Sequence, residues 1–256
     1  MIFDTHTHYD DSVFDPDRDE LIRSLPGSGI GTIVNVGADI RSSQNTLDLI
    51  RRYPFVYGSV GVHPKGTAEL DETGIAWLRH AAGEEKIVAI GEIGLDYHWN
   101  EPEAAVQKHW FLLQLSLARD CSLPVIIHSR DAAKDTLDIM KAERAGDMGG
   151  VIHCFSYSVE IAREYLKMGF YLGIGGVLTY GNARKLKEVV AYMPIDRIVL
   201  ETDCPYLTPV PHRDERNSSL NLPLVIHAIS AIKGISEDQV IAVTEQNARC
   251  LYRFQT

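Results

Sequence analysis

Long apolar runs are missing from this chain. No stretch of 18 consecutive apolar residues occurs, so no membrane-spanning helix is expected. The first residues carry no basic segment leading into an apolar run, so no secretion signal is expected either. Paired cysteines are also missing. Cys121, Cys154, Cys204 and Cys250 lie far apart with no Cys-x-x-Cys motif, which excludes a small disulfide-dense module and points to reduced thiols in a cytoplasm. Positive charge is in deficit, with 25 basic against 35 acidic residues and a formal net charge of -10. That argues against a broad basic surface gripping duplex DNA, because nonspecific affinity for duplex comes mainly from phosphate neutralisation by Lys and Arg. Metal ions held locally could still attract an anionic substrate.

The 256 residues are 45% hydrophobic and 23% charged, an ordinary globular composition able to bury a sizeable core. Short β-branched and apolar runs alternate with longer amphipathic ones. Strands are expected at Ile2 to His6, Thr32 to Gly37, Tyr57 to Val62, Ile87 to Glu92, Pro124 to His128, Val151 to Cys154, Tyr171 to Ile174 and Ile198 to Glu201. Between them lie segments with helical spacing, such as Ser158 to Met168, where Ile161, Tyr165 and Met168 share a stripe and Gly169 can end the last turn. The last helix opens on Ser236 followed by Gln239, a capping box. Eight strand and helix repeats predict the α/β class and a (β/α)8 TIM barrel, one domain over residues 1–256. Additions are expected between strands four and five (Asn100 to Cys121) and after strand eight. A doubly wound open sheet is the alternative, since alternation alone does not distinguish closure from an open twist.

In a parallel barrel the chemistry gathers at the C-terminal ends of the strands. Strand one ends in His6-Thr7-His8, whose two imidazoles, at i and i+2, point to one face. His63 closes strand three, Glu92 strand four with Asp96 just beyond, His128 strand five, His153 strand six, and Glu201 and Asp203 strand eight. So many titratable groups at one edge would be costly to desolvate unless a cation joined them. Four imidazoles (His6, His8, His128, His153) and two carboxylates (Glu92, Asp203) exceed what one tetrahedral ion needs. Two divalent ions are therefore expected, with Glu92 placed to bridge, an attacking water held between them, and Asp203 able both to ligate and to take a proton. Zinc, manganese and magnesium are not separable from such a ligand set.

The motifs His6-Thr7-His8, Gly61-Val62-His63-Pro64, Glu92-Ile93-Gly94-Leu95-Asp96-Tyr97, His128-Ser129-Arg130-Asp131-Ala132, His153-Cys154-Phe155-Ser156 and Glu201-Thr202-Asp203-Cys204-Pro205-Tyr206-Leu207 resemble the successive signatures of the TatD family. These are metal-dependent hydrolases and deoxyribonucleases on amidohydrolase-like barrels. The resemblance extends to Asn247-Ala248 in the final helix. It implies that His6, His8 and Asp203 hold one metal, that His128 and His153 hold the other, and that Glu92 bridges. It also implies DNA or DNA ends as substrate, cleaved from the 3′ end. No obligate protein partner is evident.

Beyond the ligands, Arg130 is placed to bind a substrate phosphate, with an ion pair to Asp131 as the competing role. His63 resembles the family's substrate-side histidine, or makes a loop hydrogen bond. Glu201 shares a strand face with Asp203 and can orient a ligand, while His109 and Trp110 are read as packing. After strand eight, family members tend to carry Arg-Gly-Lys-Arg-Asn-Glu-Pro near the substrate, where this chain has Arg213-Asp214-Glu215-Arg216-Asn217-Ser218-Ser219. Arg213, Arg216 and Asn217 persist, with Arg213 and Asn217 expected as substrate contacts, but the loop loses basic charge. An amide, ester or small phosphate substrate at the same centre is the alternative function.

Overall fold

The computed structural model describes residues 1–99 and 101–254. Its strands are β1 (Ile2–Thr7), β2 (Ile30–Val36), β3 (Val56–Val60), β4 (Ile87–Asp96), β5 (Val125–Arg130), β6 (Gly150–Ile152), β7 (Tyr171–Ile174) and β8 (Ile198–Leu200). The helices are α1 (Arg18–Ser24), α2 (Ile40–Arg52), α3 (Glu72–Ala81), α4 (Ala104–Asp120), α5 (Ala133–Ala142), α6 (Val159–Lys167), α7 (Arg184–Tyr192), α8 (Leu222–Lys233) and α9 (Glu237–Leu251). The strands form one sheet in the order β1-β2-β3-β4-β5-β6-β7-β8. β1 meets the chain just past β8 through a parallel bridge, Thr7 to Cys204. That pairing belongs to the (β/α)8 fold and removes the doubly wound alternative, in which first and last strands stay apart.

The chain divides into two compact units, one of Met1–Asn35, Cys154–Arg163 and Tyr171–Thr256, the other of Val36–His153 and Glu164–Phe170. In the first, α9 fixes the strands that carry the chemistry. Asn247 donates from Nδ2 to the carbonyls of Ile195 (2.9 Å) and Ile198 (2.7 Å), and the Tyr252 hydroxyl donates to the carbonyl of Thr5 (2.9 Å). The capping box expected at Ser236 is formed, with the Gln239 amide donating to Ser236 Oγ and the Ser236 amide to Gln239 Oε1. Ser236→Ala is expected to cost about 1 kcal/mol of stability, read as a lower urea midpoint with an unchanged slope.

In the second unit every residue of β4 is buried, as expected of a parallel strand covered on both faces. It runs past the expected end at Glu92 to Asp96, while β8 stops at Leu200, so Glu201 and Asp203 lie beyond it. The segment read as an addition, Asn100 to Cys121, is instead an ordinary crossover. Asn100 lies outside the described residues, and most of the remainder forms α4 between β4 and β5. Two buried glutamines one heptad apart seat this helix. Gln107 bonds both the amide and the carbonyl of Asp96 (2.8 and 2.9 Å), and Gln114 those of Val62 (2.7 and 3.0 Å). Each amide supplies the donor and acceptor that a neighbouring strand would have given. His109 is exposed on α4, and Trp110 is half-buried. No single helix among the described residues is long and apolar enough to cross a membrane.

Candidate active site

In the first unit His6 and His8 aim their rings at one point, while the intervening Thr7 turns away and donates its hydroxyl to the Val34 carbonyl (3.0 Å). The two Nε2 atoms stand 3.1 Å apart. Asp203 Oδ1 lies 3.7 Å from His6 Nε2 and 3.3 Å from His8 Nε2. Asp203 takes a left-handed conformation (φ 56°), and its amide donates to the His6 carbonyl (2.9 Å), which turns its side chain back toward the histidines. Ligand atoms about 2.1 Å from a tetrahedral ion lie roughly 3.4 Å from one another. The three observed separations bracket that value, so this donor set fits a divalent cation.

Behind this triad sits a residue that strand periodicity did not single out. Asp4 is fully buried, and its carboxylate accepts from the Thr202 amide (3.0 Å), the Thr202 hydroxyl (2.8 Å) and the Ser219 hydroxyl (2.7 Å). Burial pushes the carboxyl up to about 7 against the pull of these hydrogen bonds. Asp4 thereby ties β1 to the segment carrying Asp203. The available signal was a lone acid inside an apolar strand, two residues before His6, which must find partners or not be there.

In the second unit Glu92 on β4 receives His128 of β5, with Nδ1 2.7 Å from Glu92 Oε1. His153, just past β6, places Nε2 3.9 Å from the same oxygen. Asp96, at the end of β4, meets His128 Nε2 at 3.2 Å. Burial would lower the basicity of His128, but the hydrogen bonds to Asp96 and Glu92 outweigh it and raise its pKa. Asp96 shows the converse, since burial would raise its carboxyl while the hydrogen bond and charge of His128 bring it down to about 2. His63 sets its ring edge against His128, centroids 4.3 Å apart. Its Nδ1 also accepts from the Lys65 amide (3.1 Å), capping a short helical turn, so the loop hydrogen bond and the place beside the candidate ligand His128 coexist. Ligand atoms of His63, Glu92 and His128 lie within 4.8 Å of one another, close enough to share an ion.

The remaining candidates separate by environment. Arg130 is exposed, and Asp131, its expected ion-pair partner, faces His98 instead (3.2 Å). Glu201 is buried, and its Oε1 accepts from the Cys154 amide (2.6 Å), fixing the chain just after β6. Asn217, expected at the substrate, is turned inward and buried, donating to the carbonyls of Thr202 (3.0 Å) and Tyr206 (2.7 Å). Its side chain therefore shapes the loop after β8 and is not offered to a ligand. Arg216 pairs with Asp17 (2.5 Å), and Arg213 lies over the Tyr180 ring, 4.1 Å from its centroid.

A (β/α)8 chain with histidine and carboxylate donors grouped at its strand ends is a metal-dependent hydrolase of the barrel class. The family model described as "TatD related DNase" matches residues 3–253. The chain belongs to the TatD family. It is 42% identical over 253 residues to the "uncharacterized metal-dependent hydrolase YabD" of Bacillus subtilis, covering 99% of each chain. To the "3'-5' ssDNA/RNA exonuclease TatD" of Cronobacter sakazakii it is 35% identical over 256 residues, covering 98% of this chain and 97% of that one. The crystal structure of YJJV, a TatD homolog from Escherichia coli K12, superposes with a TM-score of 0.93 at 27% identity, over 99% of this chain and 98% of that one.

Proposed function

We propose that this enzyme hydrolyses phosphodiester bonds in single-stranded DNA from the 3′ end, using one divalent ion at each of the two ligand groups. The observation that carries the metal reading is the convergence of His6, His8 and Asp203 at ligand spacing. The nucleic-acid substrate is supported by relatives named as 3′-5′ exonucleases. Bound divalent ions supply Lewis acidity and lower the pKa of coordinated water toward neutrality. The protein's own groups do the rest. His6, His8 and Asp203 hold one ion; Glu92, His128 and His153 hold the other. Asp203, with its side chain partly open to solvent, accepts the proton of the attacking water. Arg130 contacts a nonbridging phosphate oxygen, a role its free exposure allows.

One observation favours a smaller substrate at the same centre. The loop after β8 carries Asp214 and Glu215, and its Arg216 is engaged by Asp17, so a polyanion finds less positive charge there. Protein stripped of metal and reloaded with zinc, manganese or magnesium separates the two readings when tested on labelled single strands with free or blocked 3′ ends and on a panel of acyl and phosphate esters. Stepwise nucleotide release from free 3′ ends is expected, with none after chelation. Ester cleavage without nucleotide release under every metal would favour the small substrate.

A further inference from the structure

We infer that Trp99 and Lys65 form a stacking subsite for one base of a single-stranded DNA substrate, an inference that rests on the nuclease reading above. Trp99 is 55% exposed, the most exposed aromatic side chain among the described residues. An indole left in water on a soluble surface is a common anchor for a planar partner. The two residues before Trp99 are tied down. The Tyr97 amide donates to the Arg130 carbonyl (2.9 Å), the Tyr97 hydroxyl to Asp135 (2.7 Å) and the His98 amide to Asp96 (3.0 Å).

The charge is placed to match. Lys65 Nζ sits 4.4 Å from the centroid of the Trp99 ring, a cation–π contact that steadies the indole and brings one ammonium beside any base laid on it. Lys65, Ala68, Trp99, Glu101 and Pro102 line a cleft of about 470 Å³, within the range of small-ligand sites. Glu101 on its rim opposes a run of phosphates, so the cleft suits one base and one adjacent phosphate. The backbone of Lys65 also adjoins the candidate ligands, since its amide donates to His63 Nδ1 (3.1 Å) and the His63 ring meets that of His128 at 4.3 Å. In this proposal a strand whose phosphate reaches the second ligand group lays a neighbouring base on the indole. Stacking is sequence-tolerant because every base presents a π-face.

The test uses the metal-loaded enzyme and two oligonucleotides, an oligothymidylate and the same backbone with abasic residues. Trp99→Ala is expected to raise KM for oligothymidylate about tenfold with kcat within about twofold, and to leave KM for the abasic strand unchanged. Trp99→Phe should retain most of the wild-type KM. Cleavage-resistant phosphorothioate oligothymidylate should quench tryptophan fluorescence in the wild type, but not in Trp99→Phe. Lys65→Gln should reduce the slope of log KM against log salt by about 0.7, the share of one single-strand phosphate contact. An unchanged KM in Trp99→Ala, or equal quenching by the abasic strand, would overturn the subsite. Quenching specific to the based strand, without nucleotide release, would instead keep the subsite and refute the nuclease reading.

Discussion

Alanine at Asp203 or at Glu92 is expected to reduce metal-stimulated hydrolysis by at least roughly a thousandfold, about 4 kcal/mol of barrier. The two losses should have different signatures. Asp203 stands in a turn past β8, partly exposed and 3.3 Å from His8 Nε2, so Asp203→Ala removes both a proposed ligand and the proposed proton acceptor while disturbing little packing. Elemental analysis should then find the His6–His8 group depleted, with a thermal midpoint close to the wild type after chelation. Glu92 is buried against His128, and its loss leaves that imidazole with Asp96 as its remaining acid partner at 3.2 Å. Metal should be lost at the His128–His153 group. If both variants keep full activity and full metal content, the donors have been wrongly assigned. Asp203→Asn adds a finer reading, because the amide keeps the shape but not the charge or the basicity, and its rate should fall nearly as far as that of Asp203→Ala.

The fold was legible because the strand runs are short, apolar and separated by amphipathic segments, and Tyr171–Ile174 falls where periodicity puts it. The ends of strands were less so. β4 continues beyond Glu92, across a register irregularity between Ile90 and Ile93, because Asp96, four residues on, is paired with Arg130 of β5 and has its backbone bonded by Gln107. Nothing local in the sequence announces a glutamine on a later helix acting as a strand partner. The same blindness made α4 look like an addition, since its buried polar positions Gln107 and Gln114 break the apolar stripe that marks a crossover helix.

At the site, residue types were legible and their supports were not. His-x-His on a strand announces itself, as do histidines and carboxylates that close apolar runs. Asp4 and Asp96 are carboxylates of the same kind, yet their partners, Ser219 and His128, are remote in sequence and become neighbours only through strand pairing. Asn217 fails in the opposite sense. A polar residue in a loop resembling a substrate loop invites a binding role, whereas its amide is the group that satisfies two otherwise open carbonyls.

Gly94→Ala is expected to be among the most damaging single substitutions outside the ligands. Gly94 holds φ at 143°, and a Cβ built there would stand 2.0 Å from the carbonyl oxygen of His128. That neighbour is backbone in a paired strand, Gly94 lying opposite His128 in the β4–β5 register, so it cannot swing aside as a side chain tip would. Conformational strain of about 1–3 kcal/mol and overpacking of similar size together predict a loss of about 3 kcal/mol or more. Relief by separating β4 from β5 would pull Glu92 and Asp96 away from His128, so metal retention at that group should fall along with the urea midpoint. Gly149→Ala isolates the two contributions. Its φ is 73° and nothing lies within 4 Å of the added carbon, leaving only the left-handed strain of roughly 1–2 kcal/mol and no reason to lose metal. Equal losses at the two positions would mean that backbone conformation, and not the close approach of β4 to β5, is what the glycine in Glu92-Ile93-Gly94 provides.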